Sequence, residues 1–249
     1  KMFFNKNGET KDKVVDKVLS SDSFNNLNLD LIDLDLKVET GNKFEVHYYG
    51  PEDEKPSVEL KDDTLEIEEP RVEYKHGKFW RKDFIEVNIV SQSDSGALVV
   101  TVPDGHQLGA VKVSSVSGDT DFKSLNLDSL VISVVSGDVS LKTVQTDEVK
   151  LTTTSGDIDL KEVTVKQGKA QLVSGDFTLK NSLVLDQFKV STTSGDNLVE
   201  DVKAAQYQLS TLSGDNSLFG KNETAAKGDS TNNKGTIILS TLSGDNTVK

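Results

Sequence analysis

The sequence contains no cysteine, so it can form neither disulfide bonds nor thiolate metal sites. It has no run of 18 apolar residues that could cross a bilayer as a helix. Hydrophobic residues make up only 35% of the 249 residues. That proportion is low for a globular core, but it suffices for a narrow column of buried side chains such as a repeat protein builds.

Basic residues are also scarce. The chain has 28 lysines and arginines against 41 acidic residues, which gives a formal net charge of −13. Nucleic-acid binding requires clustered lysine and arginine, so we expect no nucleic-acid partner. The acidic balance favours cationic partners instead: peptides, divalent metal ions or a basic protein surface.

Catalytic patterns are missing too. The only histidines are His47, His76 and His106, which lie in separate segments without metal-ligand spacing. No serine has a nucleophile-elbow context, and no phosphate-binding glycine pattern occurs. We therefore predict a protein that is not an enzyme and has no cofactor.

Two carboxylate pairs keep an enzymatic alternative open. Asp119 with Asp121, and Asp157 with Asp159, could imitate the paired acids of a carbohydrate-active β-helix enzyme. Each pair flanks a turn, however, and we expect these side chains only to face solvent.

One tripeptide, Ser-Gly-Asp, occurs seven times, with its serines spaced by 19, 19, 19, 20, 19 and 30 residues. Apolar residues recur at fixed distances from each serine, such as Val149, Leu151 and Leu160 around Ser155, and polar residues alternate with them. This alternation indicates strands, and a fixed period near 20 residues is typical of stacked repeats. We predict an all-β fold: a single-stranded parallel β-solenoid, or β-helix, with coils of about 20 residues.

The tripeptide itself predicts a tight corner. Glycine accepts a positive φ angle there, while serine and aspartate side chains can accept backbone N–H bonds. The predicted turn glycines are Gly118, Gly137, Gly156, Gly175, Gly195, Gly214 and Gly244.

Stacked corners would place seven aspartates in a file about 4.8 Å apart. They are Asp119, Asp138, Asp157, Asp176, Asp196, Asp215 and Asp245. One interpretation is a calcium ladder. We favour the other, in which corner amides satisfy each carboxylate and the lysines Lys123, Lys142, Lys161 and Lys180 lie nearby, so we predict no metal site.

The chain divides into three parts. Residues 1–26 form a polar N-terminal segment, helical or disordered, since Val14, Val18 and Leu19 recur at helical spacing. Residues 27–107 form an N-terminal β region whose hairpins lead into the solenoid of residues 108–249.

Two local features of the N-terminal β region are predicted in more detail. The apolar parity slips between Leu31 and Ile32, which indicates a bulge or corner. Alternating residues over 58–67 indicate a hairpin.

Residues 71–84 are basic and aromatic in an otherwise acidic protein. The candidate interaction residues are Tyr74, His76, Phe79, Trp80 and Arg81. They could form an exposed loop that grips a sugar, a lipid headgroup or a protein. We favour burial of the aromatic side chains as a cap on the first coil.

The spacing before the last Ser-Gly-Asp is longer by 11 residues, and the extra residues at 220–235 are polar and glycine-rich. We predict an inserted loop that protrudes from the solenoid. The last coil ends at Val248-Lys249, where we expect an open end that needs a cap.

The repeats, preceded by Thr101-Val102-Pro103-Asp104-Gly105, resemble the putative adhesin family of bacterial β-strand-repeat proteins over residues 27–249. This resemblance implies a non-enzymatic cell-surface protein that presents an extended acidic face for binding. It also implies an alternative, an envelope-stress sensing ectodomain that binds cationic antimicrobial peptides or a membrane-protein partner.

The opening Lys1-Met2-Phe3-Phe4 lacks an initiator methionine. We therefore expect an extracellular fragment whose membrane anchor or signal precedes residue 1. The expected partner is a surface protein, a glycan or a cationic peptide.

Overall fold

The computed structural model describes residues 13–71, 96–227 and 234–249. Over these ranges the chain consists of strands, with one short 3-10 turn at Glu52–Glu54 and no α-helix. The prediction of an all-β fold is therefore confirmed. No helix in the described ranges is long and apolar enough to cross a membrane.

Twenty strands are described. Those that precede the repeats are β1 (Val14–Ser20), β2 (Asn26–Leu31), β3 (Asp35–Gly41), β4 (Glu45–Pro51), β5 (Ser57–Lys61), β6 (Thr64–Glu68) and β7 (Ala97–Pro103). Those of the repeats are β8 (Gln107–Ser117), β9 (Thr120–Ser136), β10 (Val139–Ser155), β11 (Ile158–Lys161), β12 (Thr164–Ser174), β13 (Phe177–Lys180), β14 (Leu183–Ser194), β15 (Asn197–Glu200), β16 (Gln206–Ser213), β17 (Asn216–Leu218), β18 (Ala225–Lys227), β19 (Thr236–Ser243) and β20 (Asn246–Val248).

The first five repeats lie side by side in chain order with their tripeptides aligned. We number the repeats 1 to 7 along the chain by their serines, from Ser117 to Ser243. Ser117 lies opposite Ser136, which lies opposite Ser155, and the strands run parallel. The alternating apolar side chains, such as Val149 and Leu151, are buried in one continuous core that follows the stack.

The sheet as a whole is mixed. Four strand pairs are antiparallel: β1 with β4, β4 with β7, β5 with β6, and β16 with β18. The hairpin predicted over 58–67 is the β5–β6 pair. The parity slip at Leu31 is a corner, since β2 ends there and β3 begins at Asp35, as predicted. The repeat alone predicts a wholly parallel arrangement, and the antiparallel pairs at both ends depart from it.

The repeats do not stack in their order along the chain. Strand β14 of repeat 5 pairs with β19 of repeat 7, and β19 pairs in turn with β16 of repeat 6. Val248 therefore has a neighbour on each side, Val199 and Leu218. The prediction that the last repeat leaves an open end is wrong, because the chain passes beyond repeat 6 and returns to fill the gap between repeats 5 and 6.

The N-terminal end is interleaved in the same way. Strand β2 lies between β6 and β8, and β3 lies between β7 and β9, all in parallel. Strands β2 and β3 are therefore each enclosed by strands that come later in the sequence. At both ends, the outermost parallel layer is not the first or the last one along the chain.

The helix or disorder predicted within residues 1–26 is wrong for residues 14–20. These residues form β1, which pairs antiparallel with β4. Val15 is buried, whereas Val14 and Val18 are 43% and 53% exposed, so the helical spacing of the valines does not describe a buried face. The free edge of β4 supplies hydrogen bonds that outweigh the weak local preference of this segment.

The loop predicted at 220–235 is partly a strand. Residues Ala225–Lys227 form β18, antiparallel to Gln206–Gln208 of repeat 6. The Leu209 N–H also donates to the Thr224 carbonyl at 2.8 Å. The polar composition of residues 220–235 gave no strand signal. The strand forms because it covers the otherwise exposed edge of β16. Residues 228–233 lie outside the described residues.

Replacing a corner glycine should test how tightly the repeats pack. In a Gly156→Ala variant, the new Cβ would lie 2.1 Å from the Gly137 carbonyl oxygen, at a φ of 133°. We expect a loss of roughly 2–4 kcal/mol in the free energy of unfolding, measured by urea denaturation. Gly105→Ala is the matched control, because Gly105 also has a positive φ, 76°, but open space around it, and should lose only about 1 kcal/mol. Equal losses in the two variants would contradict the close packing of the corners.

Candidate binding edge

The tripeptides turn the chain at one edge of the stack. All seven of their glycines have φ angles between 109° and 142°, which side chains other than hydrogen rarely tolerate. The serine, the aspartate and the residue before the serine are exposed in every repeat. We call these three files of side chains the corner edge.

The aspartates of the corner edge form a continuous hydrogen-bonded file. The Asp138 N–H donates to the Asp119 carboxylate at 2.9 Å, and the Asp157 N–H donates to the Asp138 carboxylate at 2.7 Å. In spatial order the file runs through Asp35, Asp119, Asp138, Asp157, Asp176, Asp196, Asp245 and Asp215. Asp35 belongs to β3, so the file extends one layer beyond the repeats.

Seven of the eight carboxylates, from Asp35 to Asp245, each accept a backbone amide of the next layer through one oxygen. The aspartates of the repeats are exposed, and Asp35 is half-buried. Neighbouring negative charges about 4.8 Å apart repel each other, and the amide bonds partly offset that repulsion. Among the described residues, no group of three or more histidine, aspartate or glutamate side chains is arranged to hold a metal ion.

A file of exposed apolar side chains runs beside the aspartates. The residue before the serine is valine or leucine in five repeats: Val116, Val135, Val173, Leu242 and Leu212. Leu212 is 80% exposed and the other four are 50–52% exposed, while Thr154 and Thr193 occupy the position in the remaining two repeats. This file was not predicted from the sequence, although its signal is visible there: a valine, threonine or leucine precedes every tripeptide.

Buried asparagines join the last three repeats. Asn246 accepts from the Asn197 side-chain amide at 2.8 Å and donates to Asn216 at 2.8 Å. The Thr192 hydroxyl donates to Asn197 at 2.8 Å, so the network is satisfied although Asn197 and Asn246 are fully buried. This network was not predicted from the sequence either. Its signal is the Ser-Gly-Asp-Asn form of these three tripeptides.

The corner between β2 and β3 contains no glycine, and a carboxylate from another segment binds its backbone amides. The Glu69 carboxylate accepts the N–H groups of Ile32, Asp33 and Leu34, with the shortest bond, 2.6 Å, to Ile32. Burial, followed by the nearby Asp33 carboxyl group, raises the pKa of Glu69 to about 7. Glu69 therefore carries less negative charge near pH 7 than an ordinary glutamate does.

The aspartates and glycines predicted from the repeat lie together at the corner edge, whereas the two histidines in the described part of the chain lie apart. His47 contacts Asp16, whereas His106 makes a 3.1 Å contact with the Phe24 carbonyl, so these histidines hold separate parts of the N-terminal region. The aromatic candidates Tyr74, His76, Phe79, Trp80 and Arg81 lie outside the described residues.

Comparison with known proteins now assigns the fold. The family model described as Toastrack DUF4097 matches residues 24–249, from just before β2 to the last repeat. The chain belongs to this Toastrack family. The resemblance to the putative adhesin family inferred from the sequence is confirmed at this level.

Two solved structures match nearly the whole chain. A "putative adhesin" from Bacteroides fragilis has a TM-score of 0.51 at 13% identity, and the match covers 96% of this chain and 98% of that chain. A "putative cell adhesion protein" from Clostridium sporogenes has a TM-score of 0.38 at 13% identity, with 96% and 99% covered. No curated protein matches. At such identities the first likeness supports the fold alone.

Replacing one aspartate of the file should separate the effect of its hydrogen bond on stability from the effect of its charge. Asp157→Ala removes the acceptor of the Asp176 N–H and should cost about 1–2 kcal/mol in the free energy of unfolding. Asp157→Asn keeps a carbonyl acceptor and removes one repelling charge, so its stability should equal or exceed that of the wild type at low salt. Urea denaturation at two ionic strengths measures both. An asparagine variant as unstable as the alanine variant would show that the charge itself stabilises the stack.

Glu69 should make stability depend on pH. Its folded pKa of about 7 exceeds the usual 4.5, so the folded state binds the proton more tightly. The free energy of unfolding should therefore fall as the pH rises from about 4.5 to 7, by roughly 2 kcal/mol. Glu69→Gln keeps an amide acceptor but cannot ionise, and its stability relative to wild type should rise over the same range. Thermal denaturation between pH 4.5 and 8 measures the difference, and parallel curves for the two proteins would refute it.

Proposed function

We propose that this Toastrack protein is a non-enzymatic bacterial cell-surface protein, an adhesin, whose repeats act as a β-solenoid that presents an extended acidic edge for binding. The proposal rests on the corner edge. Its seven aspartates and Asp35 are hydrogen-bonded in a single file, and an exposed apolar file runs beside the seven that belong to the repeats.

The corner edge is suited to a cationic partner. Backbone amides already hold the carboxylates in place, so binding would cost little side-chain entropy. With about 4.8 Å between layers, the file is about 34 Å long, which matches an extended segment or a broad basic surface. The adjacent valines and leucines would bury apolar area in the same contact.

The described groups with a perturbed pKa have structural contacts. Glu69 binds the amides of a corner, and the Tyr48 and Tyr207 hydroxyls donate to the carbonyls of Pro51 and Val202. The two exposed groups are in surface ion pairs: Lys61 contacts Glu59 and Glu66, and Glu52 contacts Lys13 and Lys17. None of these contacts requires a substrate.

The expected location is the cell surface. The name of the Bacteroides relative, a "putative adhesin", is consistent with that location. Proteolysis of intact cells tests it, because a surface protein is degraded while a cytosolic control is spared.

A second candidate function is an envelope-stress sensor that binds cationic antimicrobial peptides or a membrane-protein partner. The apolar file favours it, since such peptides present cationic and apolar side chains together. A plain adhesive contact with a basic surface would need only the carboxylates.

A charge-matched pair of variants tests the edge. The triple variant Asp138→Asn, Asp157→Asn and Asp176→Asn removes three charges from the edge but keeps the amide acceptors. The control, Asp128→Asn, Asp147→Asn and Asp186→Asn, removes three exposed charges elsewhere in the repeats. We expect the first variant to bind immobilised polylysine and a lysine-rich amphipathic peptide at least tenfold more weakly, and the control to change less than threefold, by biolayer interferometry.

Two results decide between the candidates. Equal weakening in both variants, or no binding by the wild type, would refute a specific acidic edge. Replacing exposed apolar residues, Leu212→Ser with Leu242→Ser, should weaken only the amphipathic peptide if the sensor interpretation is right. It should leave both ligands unaffected if the edge binds through charge alone.

A further inference from the structure

A basic strip lies on the broad face of the repeats, next to the corner edge. We call the outward-facing residues seven, five and three positions before each serine the lysine strip. The middle position holds Lys112, Lys150, Lys169 and Lys189, all exposed. The strip carries four lysines and one acidic residue, Glu148, in repeats 1 to 7, so it is locally +3 in a protein of net charge −13.

The lysines are aligned across strands. Lys150 lies opposite Lys169, which lies opposite Lys189, in adjacent parallel strands. Lys112 continues the same column, separated from Lys150 by Val131. Like charges directly opposite each other destabilise a sheet. No salt bridge between described residues involves any of the four, so nothing in that part of the chain offsets this cost by direct pairing.

Acidic residues border the strip on three sides. The corner edge lies on one side, and exposed Asp128, Asp147 and Asp186 lie on the other, where Lys166 of repeat 4 interrupts them. Towards the N-terminal end, the column of Ser114 continues into Asp30, and the column of Lys112 continues through Asn28 into Glu66. A wide anionic surface would meet these carboxylates, whereas a single anionic chain along the stack would meet only the lysines.

Hydroxyl and amide side chains flank the lysines. The position nearer the corner holds Ser114, Ser133, Thr152, Gln171, Ser191, Ser240 and Ser210 in spatial order. The position on the other side holds mostly glutamine, serine and threonine. Such groups suit the hydroxyls of a sugar or polyol chain. None of the three positions is aromatic in any repeat, which disfavours single-stranded nucleic acid because its bases bind by stacking on aromatic side chains.

We propose that the lysine strip binds one chain of a linear anionic polymer that carries hydroxyl groups, with its carboxylates or phosphodiesters along the lysine column. The lysines of repeats 3 to 5 are about 4.8 Å apart, so the ligand needs closely spaced anions. This site is separate from the corner edge and does not depend on the function proposed for that edge.

A second charge-matched pair of variants tests the strip. Lys150→Gln, Lys169→Gln and Lys189→Gln removes its three aligned lysines. The control, Lys123→Gln, Lys142→Gln and Lys161→Gln, removes three exposed, aligned lysines from the other side of the corner and gives the same net charge. The probes are polygalacturonate, poly(glycerol phosphate) and oligodeoxythymidylate, measured by isothermal titration calorimetry from 20 to 200 mM salt.

We expect wild type to bind polygalacturonate, poly(glycerol phosphate) or both, with affinity that falls as salt rises. The strip variant should bind at least tenfold more weakly, with the slope of log affinity against log salt reduced by about 2, and the control should bind within twofold of wild type. A preference between the first two probes identifies the anion as carboxylate or phosphodiester. Three results would overturn the proposal: no binding to either probe, equal losses in both variants, or tighter binding of oligodeoxythymidylate than of both.

Discussion

The contact between neighbouring corner glycines governs the rest of the structure. Each glycine lies so close to the carbonyl of the next layer that an added Cβ would fall 2.1–2.5 Å from it in the repeats. That approach lets the aspartate after the glycine accept the amide of the adjacent aspartate. Because every layer is fixed to the next at this edge, the columns of apolar side chains remain in register and close a core that no single repeat could bury.

Local sequence specifies this contact but not the order of the layers. Residues Leu209–Asn216 and Leu239–Asn246 have the same eight-residue sequence, so either segment offers equivalent groups to repeat 5. The difference lies in their surroundings. Strand β18 immediately follows repeat 6 and covers the outer edge of β16, which places repeat 6 outermost and leaves the inner position to repeat 7. The asparagine network then joins all three repeats in that order.

The period-two pattern and the triplet spacing were enough to predict an all-β fold, the corner at Leu31 and the hairpin over 58–67. They could not predict β1 and β18, because both are short strands whose own residues favour no structure and which form only on an edge created by distant segments. The exposed valines and leucines were missed for a related reason. Apolar residues are usually assigned to a core, and only the three-dimensional positions of the layers show that one apolar file points outwards.

Because the repeats are aligned, a side chain that recurs at one repeat position forms a continuous file. The candidate sites therefore lie in the repeats rather than in the segments between them. One aspartate per layer becomes an acidic file, and a lysine seven residues before it in four layers becomes a basic strip on the adjoining face. The net charge of −13 conceals this separation, since it averages over faces of opposite sign. A bound ligand interacts with the charges of the nearby file and not with the net charge of the whole protein, because charges beyond about 8–10 Å are screened at physiological salt. Two partners of opposite charge are therefore compatible with one stack, each bound along its own column.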